Sequence, residues 1–400
     1  MTWMGRWVLL VSWLGGWLLS APVGDLRPAP VIENPSVSFQ FGEQAVFEAE
    51  IRPAEGLDSV FLFIQPEGSA ARSERVPVVK GTARMEYDLR EHPLRPFVRI
   101  TYWFEGQSAD GIRVESARKV FDYVDNRFTW QSRSQGVFEA LWIEGDVDYG
   151  QTILDVAAAG EEALRARIPG VSLPAPVRIF VYTEASELQN ALRLSQQSWV
   201  AGHASADLGV ILISSPSGPQ QRLELERQIP HELAHILEYA RLGDAYNRTP
   251  VWLLEGIASV AETYPNAEYA RVLEDAARSG KLLPLRGLCS AFPREASRAF
   301  LAYAQSESFT RYLYQKYGVT RVNGLLEAYR DGVGCEEGFL STMGVTLQQA
   351  EARWQEESLG VNAGRVALRN LSPYLLVLAF ILVPPAAVGL SALRKSRKRA

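Results

Sequence analysis

Between Val31 and Tyr123 apolar and polar residues alternate, as in SVSFQF, AVFEAEI, SVFLFIQ, ARMEYDL, FVRITYWFEG and SARKVFDY. Beyond Asp125 the pattern changes, and stretches in which apolar residues recur every three to four positions join the strands. Alternation marks the two faces of a strand, and the longer period marks one stripe of a helix, so a single layer of structure cannot serve both. A chain of 400 residues also exceeds what one small core organises. Turn residues at PAEG, SADG and Pro93 to Pro96 separate the strands of the first part. Regular short strands with such punctuation predict an antiparallel, immunoglobulin-like β-sandwich over residues 27–125. It lacks the Cys-Trp-Cys framework of antibody domains, and its one histidine, His92, sits beside a proline and reads as a loop residue.

The second part, 128–360, starts with mixed elements. GVFEALWIEG, PVRIFVY and LGVILISS read as strands, and DYGQTILDVAAAGEEALRARIPG and EASELQNALRL as helices. SPSGPQ then breaks the chain. From Thr249 to about Leu359 the pattern is almost wholly helical. An α/β half followed by a helical half places a cleft at their junction.

Both ends carry membrane signals. Arg6 precedes an apolar run from Trp7 to Leu19, so residues 1–24 read as a signal peptide or a retained signal anchor. Residues 371–393 carry no charge and are long enough to span a bilayer. Residues 394–400 hold Arg394, Lys395, Arg397, Lys398 and Arg399, which keeps a basic tail in the cytoplasm by the positive-inside bias. The expectation is a cell-membrane protein with one C-terminal span and an extracytoplasmic middle. Setting aside Arg6 and the five tail charges leaves 35 of the 41 basic residues against 46 acidic ones, a net −11 that excludes nucleic acid as a partner. The two cysteines, Cys289 and Cys335, fall in the exported region, where such a pair is either a disulfide or two buried thiols.

At the start of the helical half stands ERQIPHELAHILEYA. His231 and His235 are four residues apart, so on a helix they share a face and can offer imidazoles to one metal ion. Glu232 projects beside them, placed to act on water at the metal but not to replace a histidine. Pro230 removes a backbone donor just before the motif. The chain has only four histidines, and two of them meet this spacing. No His-x-x-Gly-x-x-His continuation follows, which excludes a third histidine ligand of that class. Downstream, TPVWLLEGIASVAETY reads as a second helix, capped by Thr249 and begun at Pro250. Glu255 lies 20 positions after His235 and reaches the same metal if the two helices pack antiparallel. Glu262, two turns further and about 10 Å along the axis, is the alternative ligand, or else supports one from behind. Two histidines and a glutamate form a hydrolytic zinc site with one position open to water.

IPHELAHIL followed by TPVWLLEGIASVAE resembles the gluzincin metallopeptidases, in particular the peptidase MA-like family of exported bacterial proteins. AYAQSESFTRYLYQKYG, from Ala302 to Gly318, resembles the helix these proteins carry after the site. The resemblance implies a zincin-like fold for 128–360, zinc ligands at His231, His235 and Glu255, and a catalytic glutamate at Glu232. It also suggests Tyr303 as an oxyanion donor, against a plain core tyrosine. His203, just before GVILIS, either meets a substrate strand at the sheet edge or is a surface residue. Some gluzincins carry an aspartate four residues after the glutamate ligand, where this chain has Ser259.

The expected protein is therefore multidomain: a β-sandwich, a zincin-like metallopeptidase domain and a C-terminal transmembrane helix. Its expected cofactor is Zn2+ and its expected partner a peptide or protein substrate, cleaved by zinc-activated water with Glu232 as general base. The competing expectation is a zincin fold without catalysis, displayed as a surface binding module. No sequence feature speaks to oligomeric state.

Overall fold

The computed structural model describes residues 29–194, 203–361, 371–375, 377–378 and 380–385. The first part contains β1 (Val31–Gln40), β2 (Gln44–Arg52), β3 (Ser59–Pro66), β4 (Arg72–Val76), β5 (Val78–Val79), β6 (Thr82–Asp88), β7 (Val98–Gln107), β8 (Arg113–Glu115) and β9 (Lys119–Tyr123). They form two antiparallel sheets. One has the order β1-β2-β6-β5; the other runs β4-β3-β7, with β8 and β9 both paired to β7. Alternation carries every second side chain into a shared core: Ala45, Phe47, Ala49 and Ile51 from β2 meet Val60, Leu62 and Ile64 from β3.

The second part opens with β10 (Gln131–Gln135), β11 (Phe138–Trp142), α1 (Val147–Arg165), β12 (Val177–Tyr182), α2 (Ala185–Leu194), β13 (His203–Ser205) and β14 (Val210–Ser214). The sheet order is β10-β11-β12-β14-β13. β11, β12 and β14 are parallel, and the two outer strands run antiparallel to them. β10 reads QSRSQ and is exposed along its length. An edge strand with no apolar face leaves no period to detect, which is why only its partner β11 is legible in the sequence. GVILIS was expected at the sheet edge, but β14 lies inside: β13 pairs with it through His203 and Leu212, Ala204 and Ile211, and Ser205 and Val210.

The two parts share a core. Ile179, Val181, Ile211 and Ile213 point from one sheet face into the helical half. Their neighbours Phe180, Tyr182, Val210 and Leu212 point from the other face into the core of the β-sandwich. Phe97 packs on Phe180 with centroids 4.7 Å apart. The Arg178 guanidinium donates to the Phe97 carbonyl at 2.7 Å, and the Tyr182 hydroxyl donates to fully buried Asp125 at 3.0 Å. Arg95 of the sandwich pairs with Asp207 in the turn between β13 and β14. The sandwich thus backs the sheet on the face opposite the motif helix.

The helical half consists of α3 (Gln221–Leu242), α4 (Val251–Ala261), α5 (Ala267–Ser279), α6 (Ala296–Arg330), α7 (Cys335–Met343) and α8 (Leu347–Leu359). α6 turns at Gly318, where φ is 78°, a value that favours glycine. Trp252, Phe309, Phe339 and Trp354 form its aromatic centre. Cys289 and Cys335 are disulfide-bonded, which decides between the two sequence alternatives and ties α7 to the turn preceding α6. The bridge closes a separation of 46 residues. Replacing both cysteines by Ala is expected to lower unfolding stability by about 4 kcal/mol through loop entropy alone. Denaturant unfolding of the oxidised wild type beside the double variant measures it, and equal midpoints would contradict it.

Two expectations concern the ends. Residues 1–24 lie outside the described residues. Of the span expected over 371–393, residues 376, 379 and 386–393 lie outside the described residues, as does the basic tail 394–400; among the described residues no helix is long and apolar enough to cross a membrane. Residues 371–375, 377–378 and 380–385 are helical, and their apolar side chains, among them Leu371, Tyr374, Phe380 and Ile381, are exposed.

Candidate metal centre

α3 presents one face to the sheet and α1 through Leu225, Ile229, Leu233, Ile236 and Leu237. The adjacent face carries His231 and His235, whose rings lie 5.1 Å apart. α4 begins directly after Pro250, with its Trp252 and Leu253 fully buried, and runs back antiparallel along α3. Its Glu255 faces both histidines. Oε2 of Glu255 lies 3.3 Å from Nε2 of His231 and 3.6 Å from Nε2 of His235. One donor atom from each of the three residues falls within 4.8 Å of the others.

The donor set fits zinc. Bonds of about 2.0–2.1 Å arranged tetrahedrally set ligand atoms roughly 3.3–3.4 Å apart, close to the two separations found. Among the described residues the buried Glu255 Oε2 has no partner with hydrogen-bond geometry, although two imidazole nitrogens lie 3.3 Å and 3.6 Å from it. Atoms that converge on a common point without bonding one another are arranged as ligands to a cation are.

The far side of each imidazole is also held. Nδ1–H of His231 donates to Glu262 Oε1 at 3.2 Å, and Nδ1–H of His235 donates to Glu238 Oε2 at 3.0 Å. With a metal bound, those bonds would keep the proton on each Nδ1 and leave each Nε2 to serve as the ligand atom. Glu262 therefore lies near the centre but behind a histidine. Its displacement along the axis runs past His231 and leads to the other ring nitrogen. α4 has ended by then, and Glu262 turns out of it with φ −52° and ψ 123°. Ser259, at the aspartate position of some gluzincins, is fully buried, and the carboxylates supporting the histidines come from Glu238 and Glu262 instead.

Electrostatics follow from this crowding. Burial works to lower the His231 imidazolium, but the carboxylates at its two ring nitrogens outweigh it and raise the group to about 10. Burial raises the Glu255 carboxyl, yet the two histidines hold it well below the carboxylate range. Burial pushes Glu238 up to about 7 against the pull of His235. Protons thus compete with a metal for the same nitrogens, and acid favours the proton. Glu232 follows His231 on α3 and is almost fully buried. Its carboxyl is raised by burial, opposed by the histidines and by the Ala204 N–H of β13.

Tyr303 of α6 stands at the centre, with its ring 6.4 Å from His231 and edge-on to Phe292. The charge of Glu255, then burial, then the charge of Glu232 raise its phenol. Two neighbours escape the sequence reading. Glu238 had a signal, since it lies three residues after His235 on the same helix. Tyr246 had none: it sits in the turn between α3 and α4, and its ring reaches to 6.4 Å from His235. His203 is brought to the edge strand β13, and His92 stays in the sandwich beside Tyr87.

Gly256 makes this packing possible. A Cβ there would overlap the Thr310 hydroxyl and lie 2.6 Å from the Ser306 carbonyl of α6. Gly256→Ala is expected to cost about 1–3 kcal/mol by forcing α4 and α6 apart. A thermal unfolding midpoint equal to wild type would show that α6 yields freely.

A family model described as the Peptidase MA superfamily matches residues 158–359, just over half of the chain. No curated protein matches the chain. Among solved structures, similarity extends to wild-type OgpA from Akkermansia muciniphila, at 17% identity over 24% of this chain and 29% of that one, with a TM-score of 0.20. BC0361, a polysaccharide deacetylase from Bacillus cereus, matches at 14% identity over 42% and 55%, with a TM-score of 0.21. The Br derivative of BhCBM56 matches at 9% identity over 22% and 88%, with a TM-score of 0.18. These overlays are too poor to bear on fold or activity, whereas the family match spans α3, α4 and the centre between them, and by it the chain belongs to the Peptidase MA superfamily.

Proposed function

We propose that this protein is a zinc metallopeptidase of the gluzincin type, membrane-anchored, with its zincin-like domain outside the cytoplasm. The observation that carries the reading is the convergence of two imidazole nitrogens and one carboxylate oxygen beside a buried glutamate. His231, His235 and Glu255 would hold the ion, with Glu238 and Glu262 orienting the rings. Zinc there supplies a Lewis acid that makes water nucleophilic at neutral pH and polarises a peptide carbonyl. Glu232, raised by burial toward the range useful to a base, takes the proton of the attacking water and returns it to the leaving amine. The Tyr303 hydroxyl donates to the oxyanion that forms on the carbonyl. β13, whose Ala204 N–H faces Glu232, borders the place where a peptide would lie.

The accessory parts extend the proposal. The sheet order β1-β2-β6-β5 beside β4-β3-β7, with β8 and β9 both on β7, supports an immunoglobulin-type sandwich. The exposed apolar side chains of the helical residues near 371–385 support a lipid environment for that segment. The test of catalysis is whether purified protein holds one zinc and cleaves an unfolded protein substrate in a way that a chelator abolishes and added zinc restores. Stoichiometric zinc without cleavage would favour the binding-module reading. For topology, protease added to intact cells is expected to digest the region around α3, and protection there would overturn the orientation.

A further inference from the structure

We propose that Pro230 is a positioning residue for the metal centre: lacking an N–H, it leaves the Glu226 carbonyl free to hold the segment that places Glu262 on His231. In an unbroken α-helix the N–H of residue 230 would bond to the carbonyl of residue 226. Proline has no such donor and its ring crowds that carbonyl. α3 nonetheless continues through Pro230. The released Glu226 carbonyl accepts instead from the backbone N–H of Thr263 at 3.0 Å and of Tyr264 at 3.4 Å, the residues that follow Glu262.

Glu262 is thereby fixed from both sides. α4 ends at Ala261, and the anchor begins at Thr263. Between them the Glu262 carboxylate meets Nδ1 of His231, while its second oxygen is buried without a partner among the described residues. One hydrogen bond alone restrains the carboxylate, and the backbone anchored on either side adds to its hold. The pyrrolidine is itself seated against α1, where a Cβ on Gly160 would lie 3.2 Å from its Cγ. His235 provides an internal control, because its support, Glu238, comes from α3 and needs no such anchor. In Pro230→Ala the new N–H would draw the Glu226 carbonyl back into the helix ladder, loosening the Thr263 anchor and with it Glu262.

This rests on the reading that His231, His235 and Glu255 hold zinc. The experiment is zinc affinity by chelator competition on the full chain, beside thermal unfolding of the zinc-free protein. Loss of an outer carboxylate typically weakens metal binding by about 10–100-fold, the effect expected of Glu262→Ala. Pro230→Ala is expected to weaken zinc binding by at least about 5-fold. The double variant is expected to be no weaker than Glu262→Ala, because both changes remove one support. Combined with Glu238→Ala, the Pro230→Ala loss should add. Thr263→Pro removes the nearer of the two donors from the other side and should weaken zinc binding in the same direction as Pro230→Ala; Glu262 already has the extended backbone that a following proline requires. It replaces Pro230→Ala if that variant does not fold. Unchanged affinity in the folded variants, or additive losses with Glu262→Ala, would overturn the inference while leaving the metal centre standing. Wild-type protein that takes up no zinc would overturn both.

Discussion

Glu232→Gln is expected to keep zinc and thermal stability and to lose hydrolysis by about 10²-fold or more. Glutamine matches the glutamate in shape and still offers an oxygen to the Ala204 N–H, so the buried pocket around residue 232 stays filled. What disappears is the site that accepts a proton from water. The carboxylate has no part in the convergence of His231, His235 and Glu255, so metal content should not change. The measurement is a digest of an unfolded substrate by wild type and variant at equal zinc occupancy. Wild-type rates in the variant would remove Glu232 as the base, whatever the metal does.

Glu255→Ala is expected to abolish stoichiometric zinc, whereas Glu262→Ala should retain it at reduced affinity. Removing Glu255 takes away the carboxylate oxygen that, among the described residues, both Nε2 atoms face, and two imidazoles alone make a weak and incomplete site. Glu262 touches the opposite nitrogen of His231, so its loss frees a ring to turn but removes no ligand. Metal content of both variants after dialysis, with folding matched by circular dichroism, separates the roles. Full occupancy in Glu255→Ala with none in Glu262→Ala would exchange them and break the likeness to the gluzincins.

The features legible in the sequence are those that short-range geometry governs. The i, i+4 spacing of His231 and His235 puts them on one face of any helix containing them. Alternation in AVFEAEI and SVFLFIQ dictates which side of a sheet is buried, and β2 and β3 follow it residue by residue. Pro250 marks where a helix can start, and α4 starts directly after it, whereas Thr249, expected as the cap, donates its hydroxyl to the Ala245 carbonyl instead. Glu255 was within reach because the turn from α3 to α4 is short, which leaves antiparallel packing as the direct way back.

The tertiary structure decided which groups meet across long sequence separations. Nothing local to Glu262 tells ligand from support, since the answer depends on where α4 ends relative to His231 and on a carbonyl 36 residues upstream of it. Glu238 and Tyr246 acquire their place only once α3 and the following turn fold around Glu255. The covering of β14 by β13 rests on a pairing that three short residues make, too few to show a period. That the sandwich and the sheet share one core was likewise hidden. Phe180, Tyr182, Val210 and Leu212 need apolar cover on their face, but their alternation says only that cover exists; contact with Phe97 and the sandwich core supplies it, while Asp125 accepts from the Tyr182 hydroxyl. Two cysteines admit a disulfide by count, and only the approach of their Cα atoms to 6.2 Å closes it. A local period constrains the face a side chain takes; the partner on that face is chosen by the packing of the whole chain.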